Sequence, residues 1–97
     1  MLTRYETTTL LKQIINGHHA QRKQALQTLY TADEGAVTPL IDEFYAGVNE
    51  TTGLLIITVL SDIGGYEANQ LFEDIITFPQ PYQSWFWAAE QAINTPI

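Results

Sequence analysis

Few residues of this chain are of the types that carry catalysis or bind metals. The histidines stand together as His18-His19, there is no cysteine, and Ser61 and Ser84 are the only serines. A zinc site needs three or four converging ligands, and two adjacent imidazoles with no thiolate and no further histidine leave it incomplete. His18-His19 is therefore read as a solvated turn. Neither Ser61-Asp62 nor Ser84 sits in the strand-to-helix elbow that exposes a serine nucleophile, and the histidines offer no triad arrangement. We expect no catalytic residue, no metal and no cofactor, and read the chain as a non-enzyme.

Carboxylates are the richer group. Asp42-Glu43 and Glu73-Asp74 form two acidic pairs at equivalent places in successive repeats. General acid–base work needs two carboxyls in contrasting environments, whereas these four fall on polar helix faces. Their expected role is electrostatic: an acidic stripe on or near an inner face that receives a basic segment of a protein partner. A second group is aromatic, the run from Phe78 to Trp87 with Tyr82, Trp85 and Trp87. Successive helical side chains point about 100° apart, so Trp85, Phe86 and Trp87 cannot share one seam. At least one is expected at the surface, with Trp85 or Trp87 as the anchor of a partner or homodimer contact.

Charge is distributed unevenly. The net charge is −7, and all four basic residues, Arg4, Lys12, Arg22 and Lys23, lie in the first quarter of the chain. With Glu6 that segment carries +3, and the remaining ten carboxylates give the rest of the chain −10. Nucleic-acid binding by this surface is disfavoured, because counterion release needs clustered Lys and Arg. The opening MLTRYETTTLLKQ lacks the apolar core of a signal peptide, and no apolar run reaches a bilayer span. A cytoplasmic protein without membrane contact is expected.

The elements that position these groups read as helices. Val37, Leu40, Ile41, Phe44 and Tyr45 follow the spacing of one buried helix face. The pattern recurs as Ala68, Leu71, Phe72, Ile75 and Ile76, each residue at the same constant displacement from its counterpart. An apolar segment precedes each of these helices: Ala25, Leu26, Leu29 and Tyr30 before the first, and Leu55, Ile56, Val59, Leu60 and Ile63 before the second. This gives two hairpins flanked by an N-terminal helix with Leu11, Ile14 and Ile15 and a C-terminal helix, with Phe86, Ala89, Ala92 and Ile93, that lacks a mate. Asp33 is a candidate N-cap. Pro39 implies either a start at Thr38 or an interrupted helix beginning at Glu34. Leu54 to Leu60 also fits a short buried strand, but a lone strand has no partner here. Counted as units, residues 1–97 form one domain, with a half unit over about 9–31 and units over 33–63 and 66–94.

The stretches ALQTLYTADEGAVTPLIDEF and VLSDIGGYEANQLFEDI resemble HEAT-like repeats, in particular the short bacterial type also found in phycobilisome lyase-like proteins. The first resembles the family's alanine-leucine helix, acidic turn and Pro-Leu-Ile opening of a second helix; the second echoes its Leu-x-x-Ile-Gly turn. One departure stands out: Trp85, Phe86 and Trp87 occupy a region usually richer in small or polar residues. The resemblance implies an all-α, α-α superhelix: a short solenoid of about six helices in antiparallel hairpins, used for protein association. The function expected is a non-catalytic protein-interaction module or small adaptor. The alternatives are a structural homo-oligomer, or a lyase-like accessory factor holding a pigment or other flat ligand. The end at Asn94 to Ile97 falls where a further hairpin mate would start, which leaves a longer array open.

Overall fold

A computed structural model describes residues 2–78 and 82–94. Six α-helices follow one another: α1 (Arg4–Asn16), α2 (His19–Ala32), α3 (Glu34–Ala46), α4 (Glu50–Ile63), α5 (Tyr66–Thr77) and α6 (Phe86–Asn94). A single 3-10 turn, Gln83–Trp85, leads directly into α6. No strand occurs among the described residues, and Leu54 to Leu60 is helical within α4. Pro79 to Pro81 and Thr95 to Ile97 lie outside the described residues.

Local chemistry explains most of the boundaries. Thr3 and Glu6 form a reciprocal capping box at the start of α1, with Thr3 Oγ1 accepting the Glu6 amide at 3.1 Å and Glu6 Oε1 accepting the Thr3 amide at 2.9 Å. The Thr3 backbone amide, and after it the Thr3 hydroxyl, hold the Glu6 carboxyl below its ordinary range. His18 caps α2 through Nδ1, which accepts the Gln21 amide at 3.4 Å, and Asn49 caps α4 by accepting the Thr52 amide at 2.8 Å. Gly64 and Gly65, at φ of 77° and 107°, let the chain reverse tightly between α4 and α5. Asp33 makes the equivalent turn between α2 and α3 at φ 51°, in the region an L-residue seldom enters. It stands at the N-cap position as expected, but makes no side-chain cap bond.

Of the two ways to place Pro39, the structure adopts the one in which the helix runs through it from Glu34. Proline has no N–H, so the carbonyl of Gly35, one helical turn earlier, loses its helical partner. The Leu2 amide donates to that carbonyl at 3.2 Å. A segment distant in sequence thus satisfies the acceptor that proline leaves open.

The helices form two layers. In one, α1 lies beside α3 and α3 beside α5; in the other, α2 lies beside α4 and α4 beside α6. The principal hairpins are α1–α2, α3–α4 and α5–α6, with slighter contact between α2 and α3 and between α4 and α5. This corrects one expectation from the sequence: the C-terminal helix, expected to lack a mate, packs on α5, and the hairpins pair α3 with α4 and α5 with α6 rather than α2 with α3 and α4 with α5. Short turns reverse the chain at every junction from α1 to α5, so the N-terminal helix folds back on α2 rather than standing alone. Leu11, Leu29, Leu40, Phe44, Ile56, Ile57, Leu60, Leu71, Phe72, Ile75 and Ala89 meet in one core between the layers. The repeated apolar faces supply it, with Val37, Leu40 and Phe44 buried on α3 and Ala68, Leu71, Phe72 and Ile75 on α5. Among the described residues Thr7 is the buried polar one, and its hydroxyl donates to the Thr3 carbonyl at 2.9 Å. Among the described residues no helix is long and apolar enough to cross a membrane.

Candidate functional site

The α3–α5 junction carries an open groove. On α3, Thr38, Ile41, Asp42 and Tyr45 follow the i, i+3, i+4, i+7 spacing of one helix face. On α5, Tyr66, Glu67, Gln70, Leu71 and Asp74 stand opposite, and together they line a depression of about 320 Å³. A neighbouring depression of about 330 Å³ is lined by Asp33, Glu34, Val37, Ile63, Gly64 and Gly65, and shares Thr38, Tyr66 and Glu67 with the first. The groove therefore runs along α3 from its first residue to Tyr45. Its floor is apolar, its rim carries five carboxylates, and no Lys, Arg or His lines it.

Two hydrogen bonds cross it. Thr38 Oγ1 donates to Glu67 Oε2 at 3.0 Å, and the Tyr45 hydroxyl donates to Asp74 Oδ2 at 2.6 Å. Both donors are neutral, so they orient Glu67 and Asp74 without cancelling their charge. In the other layer the Tyr30 hydroxyl donates to Asp62 Oδ2 at 2.6 Å, joining α2 to α4. Partial burial, followed by the bond to Asp62, pushes the Tyr30 phenol up to about 12; burial and then Asp74 raise Tyr45 as well. A phenol whose folded value is raised binds its proton more tightly in the folded state, and its contribution is complete below pH 10, the ordinary phenol value. Stability should therefore fall as pH climbs from about 10 through about 12, the window set by Tyr30. Thermal melts of the wild type and of Tyr30→Phe plus Tyr45→Phe across that window test this: the double variant should be less stable near neutral pH and lose less on alkalinisation. Parallel curves would reject the assignment.

The four carboxylates expected to form one stripe divide into two roles. Glu43 turns toward α1, where it accepts the Thr8 hydroxyl at 2.9 Å and pairs with Arg4 at 3.3 Å. Asp74, the counterpart of Glu43 in the next repeat, turns toward α3 in the same way and accepts Tyr45. Equivalent positions on stacked helices point the same way, so each of these reaches the helix of the preceding unit. Asp42 remains on the groove, while Glu73 is exposed outside its lining. Arg4–Glu43 is the one ion pair found among the described residues.

The aromatic residues also divide. Tyr82 and Trp85 fold inward onto Phe44 and Tyr45, with centroid separations of 4.9 Å for Phe44–Trp85, 5.7 Å for Phe44–Tyr82 and 6.5 Å for Tyr45–Tyr82. The Trp85 indole N–H donates to the Glu50 carbonyl at 3.0 Å, and its ring fills the place that a side chain on Gly53 would take. Trp87 is 71% exposed. Tyr45 links the two constellations, since its hydroxyl holds Asp74 while its ring packs on Phe44 and Tyr82.

Residue types alone missed Glu67, Tyr66 and Gly53. A glycine inside a strongly apolar helix is the signal that could have revealed the last, because it marks close approach by another group. No group of three or more His, Asp or Glu placed to hold a metal ion occurs among the described residues. No family model matches the chain, and neither a curated protein nor a solved structure gives a significant match to it.

Proposed function

We propose that this protein is a HEAT-like protein-interaction module whose α3–α5 groove receives a basic segment of a protein partner. The observation that carries the reading is a continuous groove with an apolar floor, rimmed by Asp33, Glu34, Asp42, Glu67 and Asp74 and lined by no cation. The two-layer stacking of hairpins supports the HEAT-like assignment, since such scaffolds present a helix face for association. An anionic groove speeds encounter with a cationic segment and repels an anionic one, and both effects weaken with salt.

The test is fluorescence anisotropy with a labelled, unstructured arginine-rich peptide at about 50 and 200 mM salt. Asp42→Asn, Glu67→Gln and Asp74→Asn together should weaken binding by about tenfold or more. Glu50→Gln, Glu73→Gln and Glu90→Gln remove the same charge outside the groove and should weaken it far less. Equal losses in the two triple variants would reject the groove as the site.

A structural homo-oligomer is the second reading, favoured by the exposure of Phe78 (59%) and Trp87 (71%) beside the α5–α6 hairpin. Light scattering over a concentration series distinguishes it. A dimer that Trp87→Ala converts to monomer supports this reading, and a monomer at every concentration excludes it.

A further inference from the structure

Resting on the reading that the groove takes a basic segment, we infer that the segment is a polyproline-II stretch carrying two cationic side chains at i and i+3, one for each depression. The two depressions meet at Thr38, Tyr66 and Glu67, which line both. Each has its own carboxylates, Asp33 and Glu34 in the first and Asp42 and Asp74 in the second, while Glu67 serves both. Each has its own apolar floor, Val37 and Ile63 in one and Ile41 and Leu71 in the other. That combination suits the amphipathic side chain of arginine or lysine, whose methylene stem covers apolar surface while its charged head stays at a wet anionic rim.

The spacing follows from α3. Residues 33, 34, 37 and 38 line the first depression, and 38, 41, 42 and 45 the second. Their centres lie about six residues apart, or about 9 Å at the helical rise. A polyproline-II chain rises about 3.1 Å per residue with about three residues per turn, so side chains at i and i+3 share a face and stand about 9 Å apart. A β-strand does not match: i and i+2 span about 7 Å, and i and i+3 point to opposite faces. The walls favour the same conformer. Tyr45 and Tyr66 stand 47% and 77% exposed along the groove, and Gln70 Nε2 donates to the Tyr66 hydroxyl at 3.0 Å. Aromatic-lined grooves dock the preformed polyproline-II helix, and the tyrosine faces attract a cation held above them.

The experiment compares labelled peptides of identical charge that differ in arginine placement and, for one of them, in backbone conformation. In a proline-rich background the arginines sit at i and i+1, at i and i+3, or at i and i+6; a helical alanine-rich peptide carries them at i and i+7. The i, i+3 peptide should bind the wild-type protein about tenfold tighter than the others, and Tyr66→Ala should abolish that preference. Equal affinity for all four, with loss in the Asp42→Asn, Glu67→Gln, Asp74→Asn protein, would overturn the inference and leave the basic-segment reading standing. Tightest binding by the helical peptide would also overturn it. Binding by none of them would overturn both.

Discussion

Phe72→Ala is expected to destabilise the protein by about 3–5 kcal/mol, the usual cost of removing a large aromatic side chain from a well-packed core. Phe72 is 1% exposed and is among the largest side chains fully enclosed between the layers. Its neighbours Leu71 and Ile75 are fixed by the same helix, so backbone collapse into the void is limited. A domain of about this size has a total stability of roughly 5–15 kcal/mol, so this one change removes a large share of it. Urea unfolding should show a lower midpoint with little change in slope, and the melting temperature should fall by about 4–8 °C for each kcal/mol. A loss below about 1 kcal/mol would mean that α5 is not held by this core. Phe72→Leu, which keeps most of the volume, should cost far less and serves as the folded control.

Gly53→Ala comes next in size, and its sign is diagnostic. At an unencumbered helical site, alanine is more favourable than glycine by about 1 kcal/mol. At Gly53 the added methyl would stand inside the space of the Trp85 indole, where Nε1 and the adjoining ring carbons already lie against the backbone. The indole must then leave, giving up its bond to the Glu50 carbonyl and its packing on Phe44. Expulsion of a half-buried tryptophan costs about 3 kcal/mol, the lower end of the range for tryptophan removal, so a net loss of about 2 kcal/mol is expected after the helical gain. In a Trp87→Phe background the remaining fluorescence reports Trp85 alone, and its emission should move to longer wavelength. A stabilised variant with unchanged emission would show that the indole does not dock there.

These two sites differ in how far the amino-acid order reveals them. Phe72 is legible because it belongs to an apolar face that recurs in the chain, matching Ile41 of the earlier helix, and helical periodicity follows from backbone geometry alone. Trp85 is legible only in part. Three consecutive aromatic residues on a helical path must diverge, and Trp87 does point outward. Which of them turns inward depends on where the other layer leaves room. That room is the missing side chain of Gly53, on a helix distant in sequence.

The carboxylates make the same point. Composition and order suffice for a strongly acidic chain whose cations all stand at or before Lys23, for helices punctuated at Asn16-Gly17, Asp33, Gly47 and Gly64-Gly65, and for acidic pairs recurring at equivalent positions. Those are local or periodic properties, encoded within a turn or two of the backbone. Only packing decides that Glu43 meets Arg4 and Thr8, that Asp74 meets Tyr45, and that Glu67 joins Asp42 on a groove absent from either helix alone. The direction in which a surface side chain finds a partner is set by the neighbouring helix and by the angle at which it stacks. That angle is the joint result of many core contacts, none of which can be read at the position of the carboxylate itself.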